Sequence, residues 1–303
     1  MRDSPRSVPP APDAWLVLEV QKPREEDLAG LLVDDLMSLT SRGVEERDDS
    51  FLVYLSETVE SPEPFVEELR ERLAASTGLV SPAISFRWQL HEDWEQTWKE
   101  GLVTRRITPR LVVSPTWEEP SLEPGERLIS INPGMAFGTA EHPTTRGCLR
   151  LLDECVEPGD RVADIGAGSA ILSIAAAVLG AERVLAVEMD PWSCATAREN
   201  VTMNGVADRV EVREGVVGPD FLPEEATLDG IVANIESRVL LPLLDGFRSG
   251  LREGGWLILS GILEHEVPEV MERASTSEFA PHGEVREDGW WTGGFRAVPA
   301  RDR

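Results

Sequence analysis

The chain has 303 residues, with 29 Lys plus Arg against 55 Asp plus Glu and a formal net charge of −26. That balance excludes a generic nucleic-acid binder, whose phosphate-facing surface needs clustered positive charge. With 41% hydrophobic residues, a chain of this length buries roughly three quarters of its unfolded surface, which excludes disorder throughout and favours about two domains.

Residues 1–13 are polar and proline-rich and read as a disordered tail. Trp15 to Val20 reads as a strand, and Glu25 to Thr40 carries Leu28, Leu31, Leu32, Leu36 and Leu39 at helical spacing. A weaker strand lies around Val44. Phe51 to Leu55 is a clear strand, Pro62 to Ala75 a helix, and Ile84 to Leu90 a further strand. The order βαββαβ predicts a small ferredoxin-like α+β domain over residues 14–91. Residues 92–127 read as a connecting segment. It holds a short tryptophan-rich helix from Glu92 to Glu100, a strand from Arg106 to Val113, and a stretch rich in proline and glutamate up to Arg127.

Over residues 128–303 strands alternate with helices. Strands are predicted at Arg161 to Ile165, Val184 to Glu188, Val210 to Glu214, Gly230 to Asn234 and Trp256 to Ser260, with helices at Ile171 to Leu179 and Pro191 to Met203. The second helix is punctuated by Asp190 as N-cap, Pro191 at the first helical position and Gly205 beyond its end. Glu284 to Glu287 and Trp291 to Val298 flank Asp288-Gly289, a hairpin signal whose Trp290 and Trp291 are expected to fill the hairpin. The fold class is therefore α/β, a doubly wound, mostly parallel seven-stranded sheet with an antiparallel C-terminal hairpin.

Cys148, Cys155 and Cys194 are odd in number and lack C-x-x-C spacing, so neither a disulfide framework nor a metal site is expected. Ile171 to Ala181, the most apolar stretch, is too short to span a bilayer. A cytoplasmic monomer without membrane or nucleic-acid partners is the expectation. Among the basic residues only Lys22 and Lys99 are lysines, a bias that fits either a GC-rich genome or a salt-rich cytoplasm.

In open parallel sheets the ligand lies beyond the carboxyl ends of the strands, so the loops there carry the chemistry. After the first strand comes Asp164-Ile165-Gly166-Ala167-Gly168-Ser169-Ala170-Ile171. Gly166 and Gly168 permit a tight turn and close backbone approach, and the following helix N-terminus can hold an anion. Glu188, at the end of the second strand, suits the two hydroxyls of a ribose. The third glycine of a dinucleotide loop is absent, because Ile171 stands there. An acid before the loop suits an ammonium group better than a pyrophosphate. Carboxylate, ammonium and ribose together are what S-adenosylmethionine offers. Asn234 ends the fourth strand, where its neutral carbonyl can orient an amine. Upstream, the segment from Asn132 to Thr145 is a glycine-containing loop before a helix, placed to fold over a ligand, with His142 as a candidate for proton transfer.

These segments, together with Leu259-Ser260-Gly261-Ile262-Leu263 and Glu92-Asp93-Trp94 followed by Trp98, resemble the ribosomal protein L11 methyltransferase (PrmA) family of class I S-adenosylmethionine-dependent enzymes. The resemblance covers residues 92 to 298 well. Upstream it rests on the βαββαβ order, which in the family is the substrate-recognition domain. It implies methyl transfer from S-adenosylmethionine to amino groups, lysine side chains and an N-terminal amine, of a large-subunit ribosomal protein. By position, Thr139 and the Phe137 to His142 loop would close over the cofactor. Asp164, Gly166 and Gly168 would hold its methionine part, Glu188 its ribose, and Asn234 the methyl-proximal site. Three departures stand out. Ala140 and Glu141 replace glycine and threonine of the family's usual lid pattern, Ala170 replaces the last glycine of its G-x-G-S-G loop, and Asn132 replaces an aspartate. The residues themselves leave open a methyltransferase acting on another protein or a small molecule, and a non-catalytic binding protein that has kept the fold.

Overall fold

The computed structural model describes residues 14–23, 26–40, 44–47, 49–55, 62–77, 83–90, 102–132, 134, 136–218 and 228–298. The predicted tail over residues 1–13 and the predicted helix from Glu92 to Glu100 lie outside them. The chain divides into two compact units, residues 1–101 and 102–303.

In the first unit β1 (Ala14–Gln21), β2 (Val44–Glu46), β3 (Ser50–Leu55) and β4 (Ile84–Leu90) form one sheet in the order β2-β3-β1-β4. Every neighbouring pair is antiparallel. Alternation along β1 sends Leu16, Leu18 and Val20 to one face. There they meet Leu32 and Leu36 of α1 (Glu26–Thr40) and Val66, Leu69 and Leu73 of α2 (Pro62–Thr77). The helices carry these leucines at three- and four-residue intervals, so each presents one apolar stripe to the sheet.

The second unit opens with a three-stranded sheet, β5 (Arg105–Arg106), β6 (Leu111–Pro115) and β7 (Arg127–Ile131), in which β6 and β7 run parallel. The strand predicted from Arg106 to Val113 is thus two short strands around a turn. Pro109 has no N–H to donate, and Thr108 Oγ1 accepts the N–H groups of Arg110 and Leu111 at 3.2 and 3.0 Å, which closes the turn.

The main sheet contains β8 (Arg161–Ile165), β9 (Arg183–Glu188), β10 (Val210–Glu214), β11 (Leu228–Asn234), β12 (Leu251–Leu263), β13 (Phe279–Glu287) and β14 (Trp290–Ala297). Its order is β10-β9-β8-β11-β12-β14-β13, parallel through β12 and antiparallel across β14 and β13. The crossovers are α4 (Ile171–Leu179), α5 (Pro191–Met203), α6 (Ser237–Leu240), α7 (Leu244–Gly250) and α8 (Val267–Thr276), and α3 (Pro143–Cys155) precedes β8. Both faces of the sheet are buried. Val162, Val184, Val232 and Ile258 pack with Leu149, Leu152, Ile174 and Ala177, while Ala163, Ile231, Leu257 and Leu259 pack with Leu240, Leu244, Phe247 and Val270.

Among predicted strands that lengthen in the structure, β12 and β13 change most. β12 extends the Trp256 to Ser260 expectation in both directions and shifts register between Leu259 and Ile262. β13 begins at Phe279 because backbone pairing to β14 carries its polar residues into the ladder. The α5 cap forms as the sequence predicts, with Asp190 Oδ2 accepting Ser193 N–H at 2.9 Å. Among the described residues no helix is long and apolar enough to cross a membrane.

Candidate active site

Between β8 and β11 the strand order reverses, and a cleft of about 630 Å³ opens at the carboxyl ends of these strands. Phe137, His142, Gly166, Gly168, Glu188 and Asn234 all line it. Gly166 and Gly168 have φ of +75° and +53°. A Cβ on Gly166 would stand 2.4 Å from Ile235 Cγ2, and one on Gly168 would stand 2.5 Å from the Phe137 carbonyl oxygen. Both positions therefore need glycine for conformation and for space.

Ala140 and Ala170, where the resembling pattern has glycine, both have φ +65° and no exposed surface. They hold the left-handed conformation that glycine would adopt, so the loop paths survive the substitutions. A left-handed alanine costs ~1–2 kcal/mol, while glycine there would forfeit ~0.8 kcal/mol of buried methyl and ~0.5–1 kcal/mol of chain entropy. The terms nearly cancel. Ala170→Gly is expected to move the melting temperature by less than about 3 °C, as scanning calorimetry would record.

Glu188 ends β9 and bends back under the glycine turn. Its Oε2 accepts Gly168 N–H at 2.9 Å, and its Oε1 accepts Met189 and Asp190 N–H at 2.8 and 3.0 Å. A carboxylate offers about four lone-pair sites, so one remains for a ligand hydroxyl. Beside it, the exposed side chains of Met189 and Val216 give the cleft an apolar lip.

Asp164 lies beneath the loop, fully buried, and is not among the cleft-lining residues. Its Oδ2 accepts the Ser173 hydroxyl of α4 at 2.6 Å, while Oδ1 has no partner among the described residues. Burial is the main cause that pushes its carboxyl up to about 7. The folded state therefore retains a proton that the unfolded chain releases near 3.8. The resulting stability is complete below that lower value and is lost as pH rises through about 7. Urea midpoints should fall over that window, and Asp164→Asn should flatten the fall.

Asn234 is the last residue of β11. Its Nδ2 donates to Thr145 Oγ1 at 3.5 Å, and its Oδ1 has no partner among the described residues. His142 caps α3, with Nδ1 2.7 Å from Thr144 Oγ1. Its ring lies between Phe137 and Trp290, at centroid distances of 5.4 and 4.8 Å. Burial first, and then the nearby Arg146, lower its pKa, so the ring is neutral at pH 7. Arg146 also donates to the Ala140 and Glu141 carbonyls and to Glu287 of β13, which fixes the backbone before His142.

Thr139 stands apart from the other predicted site residues, lining a small separate cavity with Leu102 and Val113. Trp291 is buried against Phe295 as expected, whereas Trp290 turns into the cleft instead of filling the hairpin. Sequence reasoning also missed Ser169, whose N–H meets Phe137 O at 2.8 Å, and Asn200, which joins two loops of the site. For Asn200 the available signal was a second asparagine four residues on, at the end of the same helix. Among the described residues no group of three His, Cys, Asp or Glu side chains is arranged to hold a metal.

A doubly wound sheet in this order, with a glycine turn and a carboxylate at the switch point and a terminal antiparallel pair, defines a methyltransferase-like α/β domain. The sequence matches the family model described as ribosomal protein L11 methyltransferase (PrmA) over residues 39–296. A ribosomal protein L11 methyltransferase of Symbiobacterium thermophilum is 42% identical over 222 residues, which cover 73% of this chain and 71% of that one. Its counterpart in Desulforamulus reducens is 33% identical over 277 residues, covering 86% of this chain and 88% of that one. The crystal structure of ribosomal protein L11 methylase from Lactobacillus delbrueckii subsp. bulgaricus matches with a TM-score of 0.59 at 32% identity, covering 65% of this chain and 100% of that one. The chain belongs to the ribosomal protein L11 methyltransferase (PrmA) family.

Proposed function

We propose that the chain transfers methyl groups from S-adenosylmethionine to amino groups of ribosomal protein L11, lysine side chains and the N-terminal amine. The observation that carries this reading is the single cleft onto which the glycine turn, Glu188 and Asn234 converge. The donor set fits the cofactor. Asp164 Oδ1, a buried acceptor with no partner among the described residues, lies beneath the turn, where its ionised form would favour an ammonium group, and Glu188 keeps an acceptor site for ribose. When bound, S-adenosylmethionine supplies a sulfonium-activated methyl group. Residues 14–91, with their antiparallel β2-β3-β1-β4 order, we read as a ferredoxin-like substrate-recognition domain. Residues 92–127 we read as the connection and 128–303 as the catalytic domain.

What the protein must add is placement and deprotonation. The amine nitrogen has to lie in line, about 3 Å from the methyl carbon, and Asn234 Oδ1 can orient it without adding charge. A lysine of pKa near 10.4 is mostly ammonium at pH 7, and stripping its proton costs about 4.6 kcal/mol. The buried aliphatic lining of the cleft, Ile165, Val187 and Leu243, disfavours the charged form and reduces that cost. His142, neutral and in the same cleft, is placed to receive the proton.

The test incubates the protein with methyl-labelled S-adenosylmethionine and ribosomal protein L11, alongside His142→Asn, which keeps a good N-cap but cannot act as a base. Label is expected in L11, and the variant's kcat is expected to fall about a hundredfold at near-native melting temperature. Full activity in the variant would reduce His142 to its capping role. No label in L11 with the wild-type protein would overturn the proposal.

A further inference from the structure

Helix α5 carries Asn200 and, at its C-cap, Asn204, one turn apart on the face turned to β7. Asn204 accepts Ser130 N–H at 2.8 Å through Oδ1 and donates Nδ2 to Ser130 O at 2.7 Å. Asn200 repeats the pattern two residues on, accepting Asn132 N–H at 2.9 Å and donating to Asn132 O at 2.9 Å. Alternate residues of a strand present both backbone groups to the same edge. The two amides thus do for β7 and the residue after it what a neighbouring strand would do.

Asn200 has a further role that Asn204 lacks. Its second Nδ2 hydrogen reaches Ser169 O, in the glycine turn, at 3.0 Å. Ser169 in turn donates its N–H to Phe137 O at 2.8 Å and its hydroxyl to Gly138 O at 2.5 Å. The segment from Asn132 to Gly138 is therefore tied to the glycine turn near both of its ends, with Asn200, fully buried, at one tie. A planar amide with both hydrogens and its oxygen engaged has one orientation, so it fixes the distance between the two loops.

We infer that Asn200 is a positioning residue for methyl transfer. It fastens the loop that carries Phe137 and His142 to the loop that carries Gly166 and Gly168, and so sets two walls of the cleft through one buried side chain. The inference rests on the proposed function only for the identity of the ligand.

The test compares Asn200→Ala and Asn204→Ala by hydrogen–deuterium exchange of the free protein and by calorimetric titration with S-adenosylmethionine. For Asn200→Ala, exchange at Phe137 to Glu141 and in the glycine turn should rise, and Kd should increase about tenfold or more. Asn200→Asp keeps the size and the acceptor but loses both donors, and the same losses are expected. Asn204→Ala should lower the melting temperature while leaving loop exchange and Kd within about twofold. Should the Asn200 variants fail to fold, Asn200→Ser, too short to span both carbonyls, carries the measurement. Native loop exchange in a folded Asn200 variant, or equal shifts in the Asn200 and Asn204 variants, would overturn the inference. A wild-type protein that binds no S-adenosylmethionine would instead remove the functional reading, with loop exchange still deciding the role of Asn200.

Discussion

Asn234→Ala is expected to lower kcat by about a hundredfold or more, the cost of a misplaced reacting group, while the affinity for S-adenosylmethionine stays within about threefold. The strand end that carries it is held on both sides. Ala233 pairs with Ile165 of β8 and Asn234 with Ser260 of β12, so removing the side chain does not move the backbone. Asn234 is partly exposed and its side-chain hydrogen bond to Thr145 is long, at 3.5 Å. Its loss therefore falls on chemistry more than on folding. Asn234→Asp is nearly isosteric but should be as inactive, because a carboxylate beside the amine favours the ammonium form that cannot attack. Steady-state kinetics with calorimetry separates the terms. A KM rise at constant kcat would mean that Asn234 binds without orienting.

Glu188→Ala is expected to abolish measurable cofactor binding and to lower the melting temperature as well. Three backbone N–H groups, of Gly168, Met189 and Asp190, share this carboxylate. Hydrogen bonds to a charged acceptor contribute about 1.5–3 kcal/mol each, and a ribose would add its own to the same group. Glu188→Gln separates the effects. Its amide oxygen can keep the Met189 and Asp190 contacts, but its NH2 group faces the Gly168 N–H and cannot accept it. That variant also removes a negative charge that helps raise the Asp164 pKa. The pH window in which Asp164 titrates should therefore move downward. Calorimetry and urea titration across pH 5 to 8 would read both changes, the range being roughly that of maximal stability in most proteins. Unchanged affinity in Glu188→Ala would place the ribose elsewhere.

The main sheet was legible wherever buried parallel strands give continuous apolar runs. Arg161 to Ile165 and the helix from Ile171 to Leu179 were read with their observed bounds, and the Asp190-Pro191 start of α5 followed from capping chemistry. Legibility failed where backbone pairing overrides side-chain pattern. Trp256 to Ser260 reads as one strand, yet β12 runs from Leu251 to Leu263 around an irregularity, since its pairing to β11 passes from Leu251 opposite Leu228 to Trp256 opposite Gly230. Thr108-Pro109 interrupts what alternation alone makes one strand. In the cleft, the glycines, Glu188 and Asn234 follow from their places at strand ends. The site of Thr139, beside Leu102 and Val113, depends on which side chain an irregular loop turns inward. The choice between Trp290 and Trp291 depends on the register of the terminal pair, since one-residue alternation sends one into the core and the other to the cleft. Asn200 carries only a weak signal, its spacing from Asn204, for a different reason. A buried asparagine on a helix looks like a surface residue until the backbone it satisfies is folded against it.

Methyl transfer to ribosomal protein L11 in this cleft leaves a mark that can be weighed. Mass spectrometry of purified L11, after incubation with S-adenosylmethionine and either the wild-type chain or Asn234→Ala, reads it out. Whole methyl-group increments are expected on lysine side chains or the N-terminal amine with the wild-type chain, and unmodified L11 over the same interval with the variant. L11 left unmodified by a wild-type chain that is saturated with S-adenosylmethionine would contradict that transfer.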